Sequence, residues 1–248
     1  MISLRQLTVR YGTRTILDCL DADLAPRQIT AVMGPNGCGK TTLLRCIGGL
    51  LEPTAGQVTI EGQPVGDYSA RALARQVAFV RQQAQTDFEF SAFETVLMGR
   101  NPYQHHLQNE SQEDRDIVEQ CMRQTGTWHL RHAKPAQMSG GELQRVMIAR
   151  ALAQQTPILL MDEPLNNLDI SHQRDVMQLL RQSHDKTILI VIHDLNLALQ
   201  FCDQLLLLNQ GGILYHGPIA QGLIPDRIRQ VYGVDAHLTE GHILFDYE

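Results

Sequence analysis

The run Ile29-Thr30-Ala31-Val32-Met33-Gly34-Pro35-Asn36-Gly37-Cys38-Gly39-Lys40-Thr41-Thr42-Leu43-Leu44 decides the fold. Its first five residues are apolar and β-rich, as in a short strand buried on both faces. Three glycines within six positions then break any regular pattern, and the spacing predicts a helix over Thr42–Leu50. Gly34 to Thr41 fits GxxxxGK[ST], and the strand before it and the helix after it supply the context that this pattern requires. The residue types follow from the chemistry of phosphate. Glycines let backbone N–H groups converge on phosphate oxygens, and a helix N-terminus adds partial positive charge. Lys40 is placed to reach the β- and γ-phosphates, and the Thr41 hydroxyl is placed to ligate Mg²⁺. The candidate nucleotide-binding residues are therefore Gly34, Pro35, Asn36, Gly37, Cys38, Gly39, Lys40, Thr41 and Thr42. Cys38 lies beside Lys40 and a helix start, an environment that lowers a thiol pKa. Alkylation there is expected to block nucleotide binding, unless Cys38 is only a small inert filler.

Further strands read outward from this point at Val58–Ile60, Val77–Val80, Ile158–Met161 and Thr187–Ile192. Helical patterns lie between them at Gln112–Arg123, Glu142–Gln154 and Ser171–Ser183. Leu205–Leu208, Gln210-Gly211-Gly212 and Ile213–Tyr215 read as a hairpin. A short helix is expected near Pro225, with a terminal strand at Ile243–Phe245. Strands alternating with helices indicate an α/β fold with a largely parallel sheet. The stretch from about Ala84 to Ala153 lacks strand patterns and reads as a helical insertion.

Ile158-Leu159-Leu160-Met161-Asp162-Glu163 is an apolar strand ending in two acids. Asp162 suits Mg²⁺ coordination, and Glu163 suits the general base or water-positioning role in attack on a γ-phosphate. The next apolar strand ends at His193, where an imidazole is placed to orient the γ-phosphate and the attacking water.

Composition narrows the field. Apolar residues make up 43% of the 248 and charged residues 19%, an ordinary globular balance. The net charge of −6 and the lack of a basic stripe argue against nucleic acid as a partner. Five scattered cysteines without CxxC spacing fit a reducing compartment and neither a disulfide framework nor a zinc site. The ten histidines, including the pairs His105-His106 and His129/His132, lack companions at metal-ligand spacing and read as surface residues. No signal peptide is visible, and no apolar run approaches the roughly 18 residues of a membrane helix. Work at a membrane requires another chain to hold this one there.

Met138-Ser139-Gly140-Gly141-Glu142-Leu143-Gln144-Arg145 resembles the LSGGQ signature of ATP-binding cassette ATPases. The resemblance covers essentially the whole chain, with motifs in the family order. It implies an α/β P-loop NTPase fold: a mostly parallel sheet core, an antiparallel β subdomain and a helical signature subdomain. It implies one domain over 1–248, with 1–85 and 154–248 as nucleotide-binding core and 86–153 as helical subdomain. By resemblance Tyr11 stacks on adenine, Gln82 is the Q-loop glutamine that contacts Mg²⁺ and water, and His193 is the switch histidine. Asn166-Asn167-Leu168-Asp169 matches the D-loop. Ser139 and Glu142 also form an S-x-x-E capping box that starts a helix and offers its N–H groups to an anion. In the family that anion is the γ-phosphate held by the opposite subunit, so Ser139, Gly140, Gly141, Glu142 and Asp169 join the nucleotide-binding set across a homodimer. Departures are Met138 for Leu, Glu142 for Gln, Arg81 where proline is common, and Leu165-Asn166-Asn167 for Thr-Ser-Ala.

Val96-Leu97-Met98-Gly99-Arg100-Asn101-Pro102-Tyr103, His193-Asp194-Leu195-Asn196 and Val231-Tyr232-Gly233-Val234-Asp235 resemble segments of importers of siderophores, haem and corrinoids. That resemblance implies multi-helix membrane permease partners, indirect work with a periplasmic binding protein, and a peripheral place on the cytoplasmic face of the inner membrane. Phe88, Phe90, Phe93 and Met98 either receive the coupling helix of a permease or pack the insertion. The alternative function is an ABC ATPase of another transport system or a soluble assembly protein of the iron–sulfur type. A chromosome-organising cassette is disfavoured, since no heptad insertion interrupts the chain.

Overall fold

The structure is a computed structural model that describes residues 1–81, 90–104 and 110–246. The chain opens with β1 (Ile2–Tyr11), β2 (Arg14–Leu24), β3 (Ile29–Met33), α1 (Lys40–Ile47), β4 (Ala55–Ile60) and β5 (Gln63–Pro64). It continues through α2 (Ala70–Leu73), β6 (Val77–Val80), α3 (Ala92–Leu97), α4 (Gln112–Gln124), α5 (Gly140–Ala153), β7 (Ile158–Met161) and α6 (Ile170–Gln182). It closes with β8 (Thr187–Val191), α7 (Leu195–Phe201), β9 (Gln204–Asn209), β10 (Gly212–Pro218), α8 (Ile219–Gly222), α9 (Pro225–Tyr232), β11 (Ala236–Thr239) and β12 (His242–Phe245). Two compact units result: Met1–Tyr68 with His184–Glu248, and Ser69–Ser183.

In the first unit β3 pairs in parallel with β8 on one side and β9 on the other. Every residue of β3 and β8 is buried, as the uninterrupted apolar runs require. β10 extends the row through an antiparallel hairpin with β9. A separate antiparallel sheet follows the order β2-β1-β4-β5. Its two long strands are not legible as such in the sequence, and the reason is local. Gln6 and Cys19 adopt positive φ (both 48°), and the β1–β2 register shifts near them. Each bulge resets the alternation that marks a strand. α1 begins at Lys40, two residues before its expected start, because Gly39 at φ 105° turns the chain directly into the helix.

In the second unit β6 and β7 pair in parallel from Val77↔Ile158 to Val80↔Met161. The helices α3, α4 and α5 pack around a buried ion pair. Arg100 donates from Nε to Asp114 Oδ1 (2.8 Å) and from one terminal nitrogen to the carbonyl of Ala153 and to Gln155 Oε1. Those bonds satisfy a charge that would otherwise be costly to bury. Gly99 beside it is glycine because a Cβ would lie 2.3 Å from the Arg150 carbonyl oxygen.

Candidate nucleotide-binding site

Gly34 leaves β3 at its carboxyl end, where ligands of parallel sheets sit. The loop is pressed against two neighbours: a Cβ on Gly34 would meet the Leu208 carbonyl oxygen at 2.2 Å, and one on Gly39 would meet Leu17 Cδ2 at 2.4 Å. Lys40 lies in the first turn of α1 with only 6% of its surface exposed. Its ammonium curls back to donate to the carbonyls of Gly34 and Pro35, both at 2.9 Å. The Cys38 sulfur, 4.0 Å away, is a third and weaker acceptor, so all three donors of the ammonium face atoms of the loop itself and the head group is fixed there. Thr41 is exposed in the same turn. Tyr11 closes β1 with half of its surface exposed. His193 lies two residues beyond Val191, and Gly34 two beyond its partner Val32, the last registered pair of β3 and β8. The imidazole is exposed at the level of the loop's first residue.

Cys38 departs from expectation. The thiol is 5% exposed, and desolvation pushes its pKa up, outweighing the pull of Lys40. A nearby cation lowers a thiol pKa and burial raises it, and at Cys38 burial is the larger of the two.

In the second unit Asp162 and Glu163 follow β7. Asp162 is 3% exposed, and its N–H bonds the Val80 carbonyl, which continues the β6–β7 ladder. Glu163 has φ 49°, a left-handed conformation uncommon for non-glycine residues, which Glu61 and Glu240 share. Asn166 donates to Glu163 Oε2 at 2.6 Å and so orients the carboxylate. Gln173 donates to the carbonyls of Leu165 and Leu168 and holds the same turn from α6. The sequence placed Asn166 in the D-loop match without giving it a partner, and nothing in its pattern pointed to Gln173.

The signature segment forms the capping box expected of it. The Ser139 hydroxyl accepts from the Glu142 N–H (3.3 Å), and Glu142 Oε2 accepts from the Ser139 N–H and hydroxyl (both 2.8 Å). Those donors hold the Glu142 carboxyl below its usual range. Asp169 caps α6 by accepting from the His172 N–H, with Ser171 and the His172 ring as further partners, and its pKa falls to about 2. Ser139, Gly140, Gly141, Glu142, Asn167 and Asp169 line one open pocket of ≈ 430 Å³. Arg145 and His172 line it too, and the sequence had given neither a role there.

Gln82 and Phe88 fall outside the described residues. Phe90 is exposed, whereas Phe93 is half-buried, meeting Trp128 edge-to-face at 6.4 Å. That favours packing for Phe93.

Residues 17–166, more than half of the chain, match the family described as ABC transporter. The achromobactin transport ATP-binding protein CbrD of Dickeya dadantii is 38% identical over 241 residues, covering 96% of this chain and 90% of the relative. The hemin import ATP-binding protein HmuV of Pseudomonas putida is 37% identical over 255 residues, covering 98% of each. Among solved structures, the ATP-binding cassette MJ0796, a dimer in a post-hydrolysis state bound to ADP and Pi, superposes with a TM-score of 0.80 at 30% identity. That alignment spans 88% of this chain and 99% of the cassette.

Proposed function

The chain belongs to the ABC transporter family, and from that premise we propose that it is the ATP-hydrolysing subunit of an importer of metal chelates. One observation carries the reading: likeness to siderophore and hemin import ATP-binding proteins runs through nearly the full length of both partners. The chain is an ATPase that works as a dimeric cassette with membrane permease subunits. No described helix is long and apolar enough to cross a membrane, so those permeases anchor it peripherally. The finer proposals are a ferric siderophore, haem or cobalamin as cargo, a periplasmic binding protein as donor, and the cytoplasmic face of the inner membrane as the place of work.

The residue roles are likewise our assignment. Lys40 and the amides of the glycine loop hold the β- and γ-phosphates, and Tyr11 stacks on adenine. Glu163 positions the water, and His193 and Gln82 orient it against the γ-phosphate. Ser139, Gly140 and Gly141, with Glu142 and Asp169 beside them, close over the nucleotide of the second copy. The Thr41 hydroxyl and the buried Asp162 carboxylate are hard oxygen donors that suit Mg²⁺. When bound, that ion would supply positive charge to offset the charge of the phosphates. Phosphoryl transfer then depends mainly on positioning and electrostatic stabilisation.

The decisive experiment co-expresses the chain with its permease, reconstitutes the complex in vesicles, and offers a ferric siderophore, haem and cobalamin in turn. ATP-driven accumulation of one of them is expected. A chain that binds no permease, or a complex that moves none of the three, overturns the import reading while leaving the ATPase assignment intact.

A further inference from the structure

Two of the segments that mark the chelate-importer resemblance, His193–Asn196 and Val231–Asp235, lie in the first unit and have no part in the chemistry above beyond His193 itself. The structure gives both a task. Asn196 is the second residue of α7, which Asp194 caps by accepting from the Leu197 N–H at 2.8 Å. Its carboxamide grips one residue of the C-terminal hairpin twice: Nδ2 donates to the Ile243 carbonyl at 3.0 Å, and Oδ1 accepts from the Ile243 N–H at 2.7 Å. An antiparallel strand engages its neighbour by the same exchange. β12 pairs with β11 on its other edge, with Ile243 opposite Leu238. Asn196 thus stands where a third strand would be.

The residue type fits that task. Only a carboxamide presents a donor and an acceptor side by side; a carboxylate lacks the donor and a hydroxyl lacks the span. Asparagine is a middling helix former, so α7 itself gives no reason for it. A two-stranded hairpin is marginal alone, and Ile243, 2% exposed, would bury an unpaired N–H and C=O without this partner. The tail also reaches the phosphate loop. Tyr232, the last residue of α9, meets the backbone of Gly34 with its hydroxyl, and burial pushes that phenol up to about 12.

We propose that the C-terminal hairpin belongs to the hydrolysis machinery, with Asn196 as a positioning residue that ties β12 to the turn carrying His193. The turn is short: β8 ends at Val191, α7 starts at Leu195, and His193 lies between them. Pinning the first turn of α7 to the tail fixes one end of that connection, which narrows the orientations of an otherwise exposed imidazole. Supporting shells of this kind hold reacting groups in productive geometry. The inference rests on the reading of His193 as the group facing the γ-phosphate.

The test compares Asn196→Ala, Asn196→Asp and His193→Ala in the assembled transporter, measuring kcat, KM, the dissociation constant for ATP and Tm. Asn196→Ala is expected to lower kcat about tenfold, as small misplacements in active sites do, with KM and ATP affinity within about twofold. Asn196→Asp keeps the acceptor for the Ile243 N–H and loses the donor, so it should fall between wild type and the alanine variant. Amide exchange at residues 193–198 should quicken in both while α1 stays protected. Should Asn196→Ala fail to fold, the aspartate variant decides by the same readings. An Asn196 variant with wild-type kcat beside an inactive His193→Ala overturns this inference alone. So does a loss of kcat matched by equal losses of ATP affinity and Tm, the mark of a purely structural contact. An active His193→Ala overturns the reading of His193 and removes the basis for both.

Discussion

The phosphate loop at residues 34–41 and the helix start at Ser139–Glu142 are both glycine-bearing helix N-termini, yet their glycines answer to different neighbours. Gly34 and Gly39 are demanded by the chain itself, since a Cβ on either would fall within 2.4 Å of Leu208 or Leu17, and both have positive φ. Gly140 has open space above it: the nearest atom to an added Cβ is the Asn167 Cβ at 3.7 Å. Gly141 is fitted more tightly, since a Cβ there would lie 2.9 Å from the Asn167 carbonyl oxygen, so Gly140 is the glycine that no contact within the unit demands. The first region is a preformed seat for an anion, with Lys40 buried and its ammonium held by two carbonyls and the Cys38 thiol. The second is half a seat, open on the side where another molecule must approach. Such a division fits a nucleotide held by one copy and covered by the other.

The sharpest way to separate binding from chemistry is Glu163→Gln. It leaves the phosphate loop untouched and removes only the carboxylate that Asn166 orients. ATP affinity should persist while steady-state hydrolysis falls about 10²- to 10⁴-fold, the usual worth of a positioned base. Normal turnover by this variant would unseat Glu163 and with it the assignment of labour between the two regions.

The glycines themselves come next. Gly39→Ala forces a left-handed backbone onto alanine and drives a methyl group into Leu17, so a loss of about 100-fold in ATP affinity and a lower Tm are expected together. Gly140→Ala should do the opposite to stability, holding or raising Tm through helix propensity. Its turnover should still fall about tenfold, with the ATP affinity of the isolated chain unchanged. A Gly140→Ala variant that hydrolyses like wild type would remove the argument for a covering partner.

Much of this contrast is legible in sequence, because the phosphate loop, the paired acids and the capping box are short local patterns whose residue types follow from their chemistry. β3, β6 and β7 match their predicted limits, since a buried parallel strand is an uninterrupted apolar run. β1 and β2 escape because bulges at Gln6 and Cys19 break their alternation. The Asn196–Ile243 and Asn166–Glu163 bonds escape for another reason. One joins residues far apart in sequence and the other depends on a left-handed turn, and no periodicity encodes either.

Cysteine reactivity probes how closed the first region is. Cys19 is exposed in the β2 bulge, whereas Cys38 is buried in the loop with its pKa raised. Only the thiolate reacts, so iodoacetamide at neutral pH should label Cys19 well before Cys38, and the Cys38 rate should keep rising with pH past the usual thiol value of 9.0. Peptide mapping after timed exposure reads both rates. Equal rates would mean that the loop opens freely and is no preformed seat.

The smallest effect concerns the half-seat's own charge. Glu142 places a carboxylate beside the amides proposed to meet a phosphate, an electrostatic cost that glutamine would avoid. Glu142→Gln should keep the capping box, since an amide oxygen can still accept from the Ser139 N–H, so Tm should barely move. The gain should appear as a KM for ATP lower by about two- to fivefold, the scale of one like-charge repulsion near a surface, and it should shrink as salt rises. Acidification cannot mimic the substitution at working pH. The folded-state pKa of Glu142 is depressed, so the carboxylate is charged, and its contribution to the cap complete, at neutral pH; both are lost only as pH falls through that lowered value. A KM that is unchanged at low salt would place Glu142 away from the incoming phosphate and would turn the open face of Gly140 toward some other partner.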